Sequence, residues 1–503
     1  MLNEFPTEIL LEIFQYLDPK DPGLFAVSTC NRRLHYLALP VHLAAYDVPL
    51  DLTSKELILR HEQLEVLPGL QSALFIRRLS RLSCSFALNS ARREYKVEDR
   101  DVFFRRIKTL AKFISRLEGL NEVTLSFQDL NFWVVEESLG VLEAWGSAIT
   151  ALLDAVLSSR CKKLSVVGGI FIVHASQFPR WNTATQNIGR RTTVMSDITR
   201  KLASHLTLTK HDTHRTIDAG QSQLEILNLH SRLLLLHPVY SWTLAAFKAT
   251  TPNLTSLSIS HVDIPESSWD DVMPSIHVPA LQTLELHLKC KIQLLPFIQF
   301  LLRHPLIHTL SLGRELLPSE EAVAPRDCLS QLVSLSAPPP FVHFLLAERR
   351  ISSIFSLRVL ANVTSSTPYN VAGINKELAC CVAGLEQDLI RMTLAIYVDY
   401  NASHWTGFFP DEENSDLYRA RFRGLQRPLV DAIQYAQTLE FESTCPSDGF
   451  EDLALRWLPP RLRDVSFTKC LKSNADIQSF VSRIEEARPT IRSISVDGVL
   501  RNG

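Results

Sequence analysis

Leu281-Gln282-Thr283-Leu284-Glu285-Leu286 is followed 26 residues later by Ile307-His308-Thr309-Leu310-Ser311-Leu312, and after 25 more by Leu332-Val333-Ser334-Leu335-Ser336-Ala337. All three obey one rule, apolar-x-x-apolar-x-apolar. Working outward, the same rule holds at Leu224 to Leu229, Leu254 to Ile259, Leu357 to Asn362, Ala436 to Phe441, Leu462 to Phe467 and Ile491 to Val496. The first six starts (224, 254, 281, 307, 332, 357) are 30, 27, 26, 25 and 25 apart, and the last three (436, 462, 491) are 26 and 29 apart. Degenerate copies occur earlier, at Leu120 to Phe127 and at Leu164 to Val167.

A fixed period in the twenties with this signature resembles leucine-rich repeats. The resemblance implies an α/β solenoid: a curved parallel sheet with helices on its convex side, binding partners rather than catalysing reactions. Between copies the order is a helical run, often a proline, then the strand, as in Phe297 to Leu302 before Pro305 and Ile477 to Ile484 before Pro489. Proline ends the helix and sets entry to the strand. Because side chains alternate along a strand, residues between the apolar positions belong to the concave face. That set is Asn228, His230, Ser258, Ser260, Glu285, His287, Ser311, Glu440, Glu442, Ser466, Thr468 and Asp497. It is the expected target-binding surface, and its charges lean slightly acidic.

The expected organisation is a helical module over 1–45, a helical linker or cap over 46–115, and the repeat domain over 116–503. Two irregular insertions are expected, near 182–223 and 364–427. The first is rich in Thr, Ser, Arg and His without apolar periodicity, so it buries little to offset its ordering entropy. The second contains one expected strand, Met392 to Val398, and the acidic stretch Pro410 to Asp416.

Composition excludes several classes. Lys plus Arg is 52 against Asp plus Glu at 54, which gives no electrostatic footprint for nucleic acid or an anionic membrane. No apolar run approaches the roughly 18 residues of a membrane helix, and no secretory leader is visible. The nine cysteines are scattered with no C-x-x-C spacing, which points to a reducing compartment, cytoplasmic or nuclear. Phosphate-loop, dinucleotide, nucleophile-elbow and zincin motifs are absent. His205, His211, Asp212 and His214 lie in the polar insertion without a second shell, and Cys380-Cys381 sit in an apolar run with nothing to lower a thiol pKa. Arg77-Arg78-Leu79-Ser80 resembles a kinase site of a kind common by chance. We expect no catalytic residue, no metal and no cofactor.

The first forty residues read differently. Glu8 to Leu17 is apolar at 9, 10, 13, 14 and 17, a broad helical stripe behind Pro6. Asp18-Pro19 and Asp21-Pro22-Gly23 break it, and a second helix is expected over Leu24 to Leu39, with Leu24, Val27, Leu34 and Leu37 inward. Phe5-Pro6-Thr7-Glu8-Ile9-Leu10, Ile13-Phe14, Leu17, Val27-Ser28, Cys30, Arg32-Arg33-Leu34 and Leu37-Ala38 together resemble the F-box motif. Phe5 stands where leucine is usual and Leu34 where many members have tryptophan. The resemblance implies docking of a Skp-type adaptor, and through it a cullin, by Phe5, Pro6, Ile9, Leu10, Ile13, Phe14, Leu17, Val27 and Leu34. With the repeats it implies an F-box/leucine-rich-repeat protein, the substrate receptor of an SCF-type ubiquitin ligase. The alternative is a repeat scaffold that binds the adaptor without ligase activity. Neither nucleic acid nor membrane is an expected partner.

Overall fold

The computed structural model describes residues 4–18, 20, 22–48, 55–86, 97–127, 139–169, 222–235, 239–250, 252–287, 290–313, 329–346, 354–363, 391–398, 436–443, 450–456, 458, 461–471 and 474–501. They form two compact units, Met1–Ala280 and Leu281–Gly503. The histidine cluster at 205–214, Cys380-Cys381, the acidic stretch 410–416 and most of both expected insertions lie outside the described residues.

The first unit opens with three helices, α1 (Thr7–Tyr16), α2 (Pro22–Cys30) and α3 (Arg32–Ala44). The single helix expected over Leu24 to Leu39 is thus two. Asn31 makes the break: it adopts extended backbone at φ −161° and its side chain accepts the Leu34 amide at 2.9 Å. An Asn N-cap satisfies an orphan amide and fixes where the new helix starts. Leu10, Phe14, Leu24, Leu34 and Ala38 form the small core, with Val27, Leu37 and Val41 packed against it.

The span 46–115, expected to be helical, also supplies two strands. These are β1 (Glu56–Leu59) and β2 (Arg78–Ser85), separated by a 3₁₀ turn at His61–Val66 and α4 (Leu67–Ser72). The sheet therefore begins two strands earlier than residue 116. The signal was present in Leu79-Ser80-Arg81-Leu82-Ser83-Cys84, which keeps the apolar-x-x-apolar-x-apolar rule. Glu56 and Ile58 are exposed and Leu57 and Leu59 buried, the alternation a strand must show.

After β2 come α5 (Val97–Ser115), β3 (Gly119–Phe127), α6 (Leu139–Ser158), β4 (Lys163–Gly168), β5 (Ile226–His230), α7 (Tyr240–Thr250), β6 (Ser256–Ile259) and α8 (Glu266–Ser275). Strands β1 to β6 pair in chain order, all parallel. The register lines Leu57, Leu82, Val123, Leu164, Leu227 and Leu257 into one row across the sheet, and each is buried. A second buried row is Leu59, Cys84, Leu125, Val166, Leu229 and Ile259. Aromatic rings close the ends: Phe86 stacks on Phe127 at 5.1 Å and meets Phe103 of α5 edge-on at 5.7 Å.

The second unit holds β7 (Thr283–Leu286), α9 (Leu294–Arg303), β8 (Thr309–Leu312), β9 (Ser334–Ala337), α10 (Pro339–Leu346), β10 (Ser356–Val363), β11 (Arg391–Val398), β12 (Thr438–Ser443), α11 (Phe450–Arg456), β13 (Asp464–Thr468), α12 (Asn474–Ala487), β14 (Ser493–Val496) and β15 (Val499–Arg501). β7 to β14 are parallel neighbours in chain order. The strand expected from Met392 to Val398 is β11. β15 turns back antiparallel on β14 through Asp497-Gly498, whose φ angles of 49° and 77° suit a two-residue hairpin.

One register differs from expectation. The copy starting at Leu357 places Leu360 at the strand leucine, yet Leu335 pairs with Leu357. The matching frame is Ile354-Phe355-Ser356-Leu357-Arg358-Val359, with Ile354, Leu357 and Val359 buried. Beyond it, β11 absorbs a two-residue step. Met392 pairs with Leu357, while Leu394 pairs with both Val359 and Leu439. The step falls where the regular period is lost between 357 and 436.

Leu310 is fully buried in β8 and its neighbour Ser311 is not. Leu310→Ala is expected to lower stability by about 2–5 kcal/mol and Ser311→Ala by no more than about 0.5 kcal/mol. Denaturant melts of the two variants measure this. Equal losses would mean the strand faces are exchanged.

Candidate functional site

α1 carries two adjoining stripes. Leu10 and Phe14 are 0% and 2% exposed and hold the three-helix core. Phe5, Ile9, Ile13 and Leu17, spaced four apart, are exposed at 44%, 40%, 39% and 39%, and Tyr16 beside them reaches 84%. Pro6 is also exposed. The nine expected adaptor contacts therefore divide. Leu10, Phe14 and Leu34 are core residues and Val27 packs half-buried against them, so these four shape the module rather than present a surface. A helix stripe of five apolar positions is broader than its own small core requires, so its outer part is left to solvent. Tyr16 was missed because it sits at i+3 from Ile13, off the four-residue spacing.

The module is fixed at both ends. Arg33 of α3 donates to the Phe5 carbonyl at 2.7 Å and the Thr7 hydroxyl at 3.2 Å, holding the start of α1. His35, nearly buried, lies 3.1 Å from the Ser28 carbonyl through Nδ1, and its Nε2 accepts the Leu74 amide at 3.2 Å. That pair of bonds requires the neutral ring with its proton on Nδ1. A β-carbon at Gly69 of α4 would meet Leu43, His42 and Leu39 of α3 at 3.3–3.4 Å, so glycine sets the close approach of α4 to α3. Gln63 adds a bond to the Tyr46 carbonyl at 2.8 Å.

The second candidate site is the set of strand residues that alternate with the buried rows. In the first unit Asn228 donates to Ser165 Oγ at 3.0 Å and the His230 ring meets Ser258 Oγ at 3.1 Å. Ser258 and Ser260, expected on an open surface, are only 4% and 6% exposed. Ser258 is covered by the His230 ring that bonds it. One strand row carries alternating charge, with Glu122 between Arg81 at 3.9 Å and Lys163 at 2.9 Å.

In the second unit Glu285, Ser311, Glu440, Glu442, Ser466 and Thr468 lie at half-buried or exposed strand positions, and half-buried His287 directly follows β7. Asp497 instead occupies the hairpin turn, where its Oδ1 accepts the Lys469 amide at 2.6 Å. Arg358, not among the expected residues, is paired with Glu440 two strands away. The shifted frame at Leu357 hid it, because it belongs to the face only when Leu357 is the strand leucine. Burial lowers the His287 pKa below its ordinary value, opposed by nearby Glu285 and reinforced by Arg358.

Elsewhere, Cys84, Cys161, Cys290 and Cys470 are buried free thiols. Burial pushes Cys161 and Cys470 up to about 12, and Cys84 higher still, so they stay protonated. Ser80 is a β2 strand residue bonded through its amide and hydroxyl to the Lys55 carbonyl, not an open loop site. Among the described residues no three His, Cys, Asp or Glu are placed to hold a metal ion. No described helix is long and apolar enough to cross a membrane.

Residues 2–43 match the family model described as F-box-like, a span that takes in α1, α2 and all but the last residue of α3. F-box domains generally bind Skp-type adaptors. No curated protein matches the chain.

Two outcomes follow from burial and charge. Leu10→Asp places a carboxylate in the helical core and is expected to unfold the module, whereas Ile13→Asp leaves it folded. Circular dichroism and amide exchange of residues in α1 to α3 distinguish the variants. His287 should titrate below 6.5, and Glu285→Gln should move it lower still, in an NMR titration. Because its folded pKa is depressed, the unfolded chain takes up the proton first. Stability therefore falls as pH drops through the ordinary histidine range, with His287 contributing to that loss.

Proposed function

We propose that the chain is the substrate-recognition subunit of an SCF-type cullin-RING ubiquitin ligase. The observation that carries this is the exposed stripe Phe5, Pro6, Ile9, Ile13, Tyr16 and Leu17 on an F-box-like module whose core is already complete without it. An apolar helical stripe of this kind suits helix-against-helix contact with a Skp-type adaptor, which binds the cullin in turn. The periodic strands are read as leucine-rich repeats forming a solenoid, and the open sheet face as the place where the target protein is held.

On this reading the chain is not an enzyme and needs no cofactor. It raises the local concentration of target lysines near a ubiquitin-loaded conjugating enzyme, so the gain is in proximity and orientation. A cytoplasmic or nuclear location is consistent with the free cysteines.

Ile13→Asp should abolish co-purification of a Skp-type adaptor and of the cullin behind it. A single unpaired charge in a desolvated contact costs several kcal/mol, about a thousandfold or more in affinity. Ser311→Ala should retain both. Capture of the adaptor by the wild-type chain without any cullin would point instead to a scaffold outside the ligase. Full adaptor binding by Ile13→Asp would overturn the assignment of the docking stripe.

A further inference from the structure

In each copy of the repeat the residue after the first buried apolar position precedes the strand and lies at its entry edge. In the first unit these positions balance: Lys162 and Glu225, on adjacent strands, pair at 2.9 Å. In the second unit they do not. In chain order they are Gln282, His308, Val333, Phe355, Gln437, Arg463 and Arg492. Backbone bonds place them on successive rungs, His308 to Gln282, Val333 to His308, Phe355 to Val333, and Arg492 to Arg463. Val333 is 42% and Phe355 51% exposed. Arg391, whose amide bonds the Phe355 carbonyl, lays its guanidinium 5.3 Å from the Phe355 ring centroid.

Arg463 and Arg492 directly precede the neighbouring strands β13 and β14, joined by a backbone bond, both exposed, with no acidic partner among the described residues. Strands are about 4.8 Å apart, and like charges directly opposite one another disfavour the sheet. The edge thus has an apolar half, Val333 and Phe355, and a cationic half, Arg391, Arg463 and Arg492. From β9 to β14 it runs five strand spacings, about 24 Å, the length of roughly seven extended residues.

We propose that this strand-entry edge of the second unit docks an extended segment of a partner protein, apolar at one end and rich in Asp and Glu at the other. Aliphatic or aromatic side chains would lie on Val333 and Phe355, and carboxylates would reach Arg391, Arg463 and Arg492, where guanidinium groups take carboxylates in a two-pronged fashion. This deepens the target-binding reading by naming the chemistry of the target. It places the contact at the sheet edge, away from the acidic residues of the open face.

The test uses the full chain and fluorescein-labelled seven-residue peptides, with Leu-Phe at one end and four Asp or Glu at the other, made in both chain directions. No adaptor is present, so loss of adaptor docking leaves the result untouched, and failure here leaves adaptor docking untouched. In fluorescence anisotropy, one acidic peptide should bind, weakening as salt rises. The double variant Arg463→Glu with Arg492→Glu should weaken it at least tenfold while its thermal melt stays within a few degrees of wild type. Phe355→Ser should weaken it several-fold with the salt dependence retained. The inference is overturned if neither acidic peptide binds, if a peptide with Asn and Gln in place of the acids binds equally, or if the double variant binds as wild type does. Tighter binding of a single-stranded oligonucleotide of equal charge would also overturn it, by showing an edge made for phosphate.

Discussion

Every strand must present two apolar side chains inward at positions that coincide with those of its neighbours. A parallel ladder fixes the level of each strand, and alternation then fixes which residues are inside. The rows from Leu57 to Leu257 and from Leu59 to Ile259 are the visible result in the first unit. A one-residue slip anywhere would send leucines to solvent and serines to the core, which is why the register is strongly specified. The stacked pairs Phe86–Phe127 and Phe441–Phe467 follow from the same constraint, since equal levels bring like rings face to face.

This constraint explains what could be read from sequence. Where the spacing stayed in the twenties, strand positions were legible to within a residue or two, as for β7, β8 and β9. Legibility failed where local pattern and register competed. Leu357 and Leu360 both offer a leucine to the motif, and only pairing with Leu335 decides between them. The choice mattered for the site, because it conceals Arg358, the partner of the expected Glu440. β1 was hidden for another reason: it is four residues long, and Ser54 stands where the motif has its first apolar residue, so β2 lacked a full copy before it to set a period.

The helical module was legible as apolar spacing but not as a division of labour. Periodicity places Leu10, Phe14, Ile9 and Ile13 on one broad stripe, and only the packing of α2 and α3 separates core from surface. The Asn31 cap was readable in principle, as an Asn followed by a fresh apolar period. The seam to α4 was not, because His35 and Leu74 are 39 residues apart and nothing local joins them.

That seam bears on how a ten-residue helix can keep an apolar stripe in water. An isolated helix of this length is marginal, so its conformation must come from tertiary contacts. Here Leu10 and Phe14 supply the packing from beneath, Arg33 holds the N-terminal end, and α3 is itself packed on α4 at Gly69 and bonded through His35 to Leu74 just beyond it. The outer stripe therefore contributes little to holding its own helix in place. Phe5, Ile9, Ile13 and Tyr16 are free to be chosen for what they meet, and the ordering cost of presenting them is met within the chain before any partner arrives.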